Sequence, residues 1–236
     1  MPLILALDTT RDDASLALAR DSRILEEISL VSPTGFAHVI HNAIDALLTR
    51  HGFGIAAVDC FAAASGPGSF TGVRVALACV KGLAEALAKP AVGVSSLEAL
   101  ATFGRAPLRA PVLDARRGQI YGAVYDASGR LVSEEVVAAL AAWLPTLPAA
   151  GLQFIRIEGQ ELAVPLPPEA AVAIAPRAQA AAIASIALAR LEAGTATDPA
   201  ALDANYVRRS DAELFWTEPR PVDKTLQILR PNRVPP

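Results

Sequence analysis

Cysteine is scarce in this chain. Only Cys60 and Cys79 occur in 236 residues. One falls in an apolar, strand-like run and the other on the buried face of a helix-like run, so both read as small core residues in a reducing compartment, with no disulfide expected. A basic excess is also missing: 21 Lys and Arg face 24 Asp and Glu, for a net charge of −3. A chain that held RNA alone would show a basic patch, so any nucleic-acid contact here calls for a partner. No long apolar run is present either. The alanine-rich stretch 178–193 is interrupted by Arg190 and Glu192 and is too short to span a bilayer. The N-terminus runs straight into Leu3-Ile4-Leu5-Ala6-Leu7-Asp8, the pattern of a strand and not of a signal peptide. A soluble, cytoplasmic protein is the expectation. Three nucleotide and hydrolase signatures are lacking: the Gly-Lys-Ser/Thr that closes a P-loop, the dinucleotide glycine spacing, and the Gly-x-Ser-x-Gly nucleophile turn.

What is present is organised around Gly66-Pro67-Gly68-Ser69-Phe70-Thr71-Gly72. Three glycines and a proline in seven residues exclude strand or helix interior. An apolar run, 58–64, leads in as a buried strand, and a small-residue amphipathic run, 72–89, leads out as a helix with Thr71 as its N-cap. Such a turn can hold an anion at a helix N-terminus, or it can let another backbone come very close. Ahead of it, residues 3–7, 15–20 and 23–30 form three successive strands with short turns, an antiparallel meander. Residues 36–50 then read as a helix with Phe36, Ile40, Ala43, Ile44, Leu47 and Leu48 on one face. After the central helix, 91–95 is a short strand, and Ser95 or Ser96 caps a helix at 97–103, with Glu98 placed to complete a capping box.

Residues 107–111 look like a junction, after which the opening pattern returns. Residues 110–113 form an apolar strand ending in Asp114, as 3–7 end in Asp8. Residues 118–125 and 130–137 make a hairpin across Asp126-Ala127-Ser128-Gly129. This is a repeat of architecture, not of residues. A short helix near 140–144, a strand at 154–157, a proline-rich turn at 165–168 and an alanine-rich helix at about 177–193 complete the second half. The expected division is 1–106 for a β-β-β-α-β-α-β-α domain, 107–210 for a smaller second domain, and 211–236 for a proline-rich, loosely held tail.

Five segments carry a resemblance: 3–10, 66–75, 93–100, Asp114-Ala115-Arg116-Arg117-Gly118 and 206–213, in which Tyr206-Val207-Arg208-Arg209-Ser210-Asp211-Ala212-Glu213 stands. In order and spacing they resemble the bacterial TsaB (YeaZ) family. The resemblance implies an α/β fold of the ASKHA (actin/Hsp70-like, ribonuclease H-like) type in two domains, the second reduced. It implies a role in making N6-threonylcarbamoyladenosine at position 37 of tRNA (t6A37). The chain would be a non-catalytic dimerisation partner of the catalytic paralogue TsaD. TsaE, an ATPase, would join them, and TsaC would supply threonylcarbamoyl-adenylate.

Weighed against that resemblance, the residues offer three chemistries. TsaD-like proteins carry two histidines four apart on a helix, whereas His38 and His41 here are three apart, with Asp45 as a third candidate. No metal is expected on that spacing. Asp8, Thr9, Thr10, Gly66, Gly68, Ser69 and Asp114 are the candidate nucleotide- or phosphate-facing set, because an Asp in each domain meeting across a cleft can hold Mg²⁺ and ATP. Strand-end Asp residues can equally accept backbone hydrogen bonds and fix turns. The alternative function is therefore an ASKHA-type ATP-dependent small-molecule kinase, while the favoured reading has no catalytic residues and no cofactor of its own, with ATP or ADP shared at most with TsaD and TsaE. The third reading is an interface. Gly72, Ala76 and Val80 form one row of small residues on the central helix, and Ala78, Gly82 and Ala86 form another. Phe36, Val39, Ile40, Ala43, Leu47, Gly72, Val73, Ala76 and Val80 are the expected contacts of a four-helix packing with TsaD, or with a second copy when TsaD is absent. Arg116, Arg117, Arg208 and Arg209 are candidates for tRNA phosphates beside the partner.

Overall fold

In the computed structural model residues 1–208 are described, and all structural statements concern them. Two five-stranded sheets form two lobes. The first contains β1 (Leu3–Asp8), β2 (Asp13–Arg20), β3 (Arg23–Val31), β4 (Cys60–Gly66) and β5 (Ala91–Ser95), in the order β3-β2-β1-β4-β5. The second contains β6 (Leu108–Asp114), β7 (Gln119–Asp126), β8 (Leu131–Ala139), β9 (Leu152–Ile157) and β10 (Val172–Ala175), in the order β10-β9-β6-β7-β8. In each sheet an antiparallel meander supplies three strands, and two parallel strands are added beside the first of the three. The two lobes therefore share one topology, the architectural repeat expected from a strand ending in Asp followed by a hairpin.

The first sheet is covered on both faces, so β1 and β4 are buried along their whole length and are mainly apolar. On one face lie α1 (Ile40–Arg50) and α2 (Phe70–Leu87), packed on Leu3, Leu5, Leu7, Leu16, Leu18 and Phe61. On the other lies α5 (Ala180–Glu192), whose small side chains Ala180, Ala184 and Ala187 meet Ile4, Ala6, Ala17, Ala62 and Ala64. Small residues on both sides let helix and sheet approach closely, so each contact is small but many form. Between the lobes, α3 (Ser96–Ala101) places Leu97 and Leu100 against Leu113, Tyr125, Ile155 and Ile157. The outer face of the second sheet is closed by α4 (Leu140–Trp143), with Trp143 packed edge-on to Phe154.

Several boundaries differ from the sequence reading. Helix α1 begins at Ile40, not at Phe36; residues 36–39 form a turn in which the Phe36 carbonyl accepts from both Val39 and Ile40 N–H. The N-cap of α2 is Ser69, not Thr71: its hydroxyl accepts from Gly72 N–H at 3.3 Å, so the helix starts two residues earlier. Strand β10 has no counterpart in the sequence reading, because Val172-Ala173-Ile174-Ala175 is four residues long and shows no alternation of polarity. Helix α5, read as part of a 107–210 unit, packs on the first sheet. Its N-terminus is held there by the Ser15 hydroxyl, which accepts from Gln179 and Ala180 N–H, and by the Glu27 carboxylate, which accepts from Ala181 N–H at 2.8 Å. Both cysteines are buried free thiols, pushed by burial up to about 12 for Cys60 and about 11 for Cys79. No helix among the described residues is long and apolar enough to cross a membrane.

Candidate partner face and interlobe cleft

The glycine turn lets another backbone come close. A Cβ on Gly72 would lie 1.8 Å from the Thr9 carbonyl oxygen, and one on Gly68 would lie 2.7 Å from Thr10. In the space so cleared, the Thr9 hydroxyl donates to the Gly72 carbonyl at 2.6 Å, and Ser69 N–H donates to the Thr10 carbonyl at 2.7 Å. Three of the turn's backbone donors are thereby engaged: Ser69 N–H by Thr10, Gly72 N–H by the Ser69 hydroxyl, and Val73 N–H by the Ser69 carbonyl.

Asp8 is equally engaged. It is buried, and one carboxylate oxygen accepts from Thr10 N–H and from the Thr10 hydroxyl, at 2.9 and 2.6 Å. The other pairs with Arg11 at 3.1 Å. Arg11 in turn donates to the Arg177 carbonyl, and Arg177 forks onto Asp13 at 2.9 and 3.0 Å. Where a metal-nucleotide complex would need a bare carboxylate, this chain carries its own guanidinium. Asp114, across the cleft, accepts from Arg116 N–H at 3.1 Å and fixes the turn into β7. A cleft of about 630 Å³ separates the lobes, and Thr10, Gly68, Ser69, Asp114, Arg116 and Arg208 line it; Asp8, Thr9 and Gly66 do not. Gly66 faces the segment after α5, with the Asn205 carbonyl 3.1 Å from where its Cβ would sit.

The candidate arginines are spread. Arg116 and Arg117 are exposed on a turn with positive φ at both. Arg208 donates to the Gln119 side chain at 2.6 Å and lies near the Tyr121 ring, and Arg209 lies outside the described residues. The histidines do not converge: His38 precedes α1 and meets the Thr34 hydroxyl, His41 is exposed, and His51 meets Glu26 at 2.8 Å. Among the described residues no group of three or more His, Cys, Asp or Glu side chains is arranged to hold a metal ion.

The helix pair shows which small-residue row is open. Gly72, Val73, Ala76 and Val80 are buried against the chain's own first lobe, as are Ile40 and Leu47; Phe36 is also buried, and Val39 and Ala43 are half-buried. Most of the positions expected to meet a partner therefore build the chain's own core. The open row is Ala78, Gly82 and Ala86, all exposed. A Cβ on Gly82 would meet nothing within 4 Å, so nothing inside this chain requires a glycine there. Between α1 and α2 runs a groove of about 620 Å³ floored by Val75, Ala78, Cys79, Gly82 and Leu83, with Ile40 and His41 on its α1 side and Phe70 and Arg74 at one end. Sequence reasoning saw both rows. Telling them apart needed the rotation of α2 about its axis, which the sheet sets.

Two mixed sheets of one topology, facing across a cleft with helices on their outer and inner faces, define an α/β protein of the ASKHA-like class. The family model described as "TsaD: tRNA N6-adenosine threonylcarbamoyltransferase" matches residues 31–196, and the chain belongs to that family, within its TsaB (YeaZ) group. It is 35% identical over 149 residues to the tRNA threonylcarbamoyladenosine biosynthesis protein TsaB of Bacillus subtilis, covering 61% of this chain and 65% of that one. To the TsaB protein of Escherichia coli it is 34% identical over 143 residues, covering 58% and 62%. The chain thus spans less than two thirds of the length of these curated relatives. The solved structure of YeaZ from Pseudomonas aeruginosa superposes with a TM-score of 0.72 at 29% identity, over 87% of this chain and all of the other. A second Pseudomonas aeruginosa structure, described as similar to peptidase YEAZ, gives 0.74 at 28%, over 88% of this chain and all of the other.

Proposed function

We propose that this chain serves tRNA N6-threonylcarbamoyladenosine (t6A37) formation as a scaffold subunit without catalytic residues of its own. It docks a TsaD protein through the groove between α1 and α2, in an assembly that TsaE joins and that receives tRNA. The observation that carries this reading is the exposed Ala78-Gly82-Ala86 row beside that groove. Small residues at four-residue spacing let a second helix approach closely, and Gly82 has no reason inside the chain to be small. The contacts expected from sequence move accordingly, from the buried row to Val75, Ala78, Gly82, Leu83 and Ala86, with Ala37 and His41 across the groove. A second copy of the chain would use the same face in TsaD's absence.

The engagement of Asp8 by Thr10 and Arg11 supports the non-catalytic part of the proposal and disfavours the kinase alternative, because Mg²⁺ would have to displace those partners from the carboxylate. Any ATP or ADP would then sit against the partners and not on this chain alone. The test is light scattering on a sizing column, with the chain alone and mixed with a TsaD protein. A stoichiometric complex that replaces any homodimer is the expected result, and Ala78→Arg should abolish it. Two unperturbed peaks in the presence of TsaE and tRNA would overturn the reading.

A further inference from the structure

Residues 199–208, after α5, touch both lobes. Leu202 is buried in the first lobe's core over Gly93. Lys81, on α2, donates to the carbonyls of Ala200 and Leu202 at 3.4 and 2.8 Å. Asn205 N–H donates to the Ser65 carbonyl at the end of β4, at 2.8 Å. The Asn205 side-chain amide then crosses to the second lobe, donating to Glu135 on β8 at 2.6 Å. The other Glu135 oxygen accepts from the Tyr125 hydroxyl at 2.8 Å and from the Ser95 hydroxyl of the first lobe. One carboxylate thus accepts from β5, β7 and the 199–208 segment together. The next residue, Tyr206, stacks on Phe70 with ring centroids 5.5 Å apart, and its hydroxyl accepts from Arg74 Nε at 2.9 Å. Arg74 lies 3.7 Å from the centroid of the Phe70 ring. Phe70 and Arg74 form one end of the α1/α2 groove, and Phe70 also lines the interlobe cleft.

We propose that residues 199–208 are a strap that couples the Phe70–Arg74 end of the groove to the angle between the lobes. Adjacent residues of the strap hold the two ends: Asn205 holds Glu135 and Tyr206 holds Phe70 and Arg74. A displacement of Phe70 or Arg74 by any occupant of the groove pulls on Tyr206 and, one residue away, on the hydrogen bonds that tie the lobes. Coupling of this kind is reciprocal, so loosening the lobes also disturbs the groove. The inference concerns the chain by itself and does not depend on which partner fills the groove.

The test is a distance distribution between spin labels on exposed positions of the two lobes, Thr49→Cys on α1 and Ala142→Cys on α4, measured by double electron–electron resonance on the full chain. The native thiols are buried and their raised pKa values keep them slow to label. A single narrow distribution is expected for the labelled parent. Glu135→Ala should broaden it, and Asn205→Ala, which leaves Glu135 with its other donors, should broaden it less. Arg74→Ala, at the groove and far from Glu135, should also broaden it. A distribution unchanged by Asn205→Ala overturns the strap, even if Glu135→Ala proves too destabilised to use. A distribution unchanged by Arg74→Ala while Asn205→Ala broadens it overturns the coupling.

Discussion

Gly72 is the position where the absence of a single atom matters most. A β-carbon there would overlap the Thr9 carbonyl oxygen at 1.8 Å, and both backbones are buried, so neither can yield cheaply. Gly72→Ala is expected to cost about 3 kcal/mol or more of stability, the upper range for overpacking a core, measured as a lower urea midpoint at unchanged slope. Asp126 makes a different single-residue prediction. The Ser128 hydroxyl, then Arg130, hold its carboxyl down to about 2. A depressed folded-state pKa means that this contribution is complete above the unfolded value near 3.8 and is lost as pH falls toward 2. Asp126→Asn should therefore flatten the loss of stability between pH 4 and pH 2 while changing its slope at neutral pH little, as read from unfolding midpoints across pH. Glu98 runs the other way. It is paired with Arg190 at 2.6 Å, yet burial raises its pKa, which shows desolvation outweighing the partner there.

At the scale of elements, α2 presents two faces that a list of its residues does not separate. Ala76 is fully buried against the sheet and Ala78 is exposed beside the groove, only two residues further on. Ala76→Arg should fail to fold, because no route leads a guanidinium from that position to water. Ala78→Arg should change stability by no more than about 0.5 kcal/mol, as surface substitutions do, while removing association through the α1/α2 face. Circular dichroism and sizing-column light scattering on the pair check both statements, and a folded Ala78→Arg protein that still associates as the parent does would move the partner face elsewhere. Helix α5 makes the converse point. Its alanines packed as expected for a buried helix, but against the first sheet, where Glu27 and Ser15 receive its N-terminal amides. Both capping residues are more than 150 positions away in sequence, so no local pattern could have announced them.

For the whole molecule, the cleft between the lobes is where the sequence reading puts a candidate nucleotide, and the Asp8 carboxylate expected to serve it is paired inside the first lobe. Arg177, just after β10, forks onto Asp13 of the first lobe, beside the local Asp8–Arg11 pair. The isolated chain is expected to show no magnesium-dependent ATP hydrolysis, with turnover indistinguishable between the parent and Asp8→Asn in a phosphate-release assay; turnover lost in Asp8→Asn would restore the kinase alternative. What the sequence determined by itself was whatever rests on local rules: strand and helix periodicity, the excluded motifs, the turn chemistry of residues 66–72, the two buried thiols, and the repeat of a strand ending in Asp before a hairpin. The family was legible too, because its motifs are short and contiguous. Only the tertiary structure decided which small-residue row faces outward, which sheet receives α5, whether Asp8 is bare or paired, and that residues 199–208 reach both lobes. The row, the sheet and the reach of 199–208 depend on the rotation of an element about its axis or on groups far apart in the chain, which the spacing of neighbouring residues does not encode. The pairing of Asp8 is local, with Thr10 and Arg11, but the residue types there fit a bare or a paired carboxylate alike, and the turn's conformation decides between them.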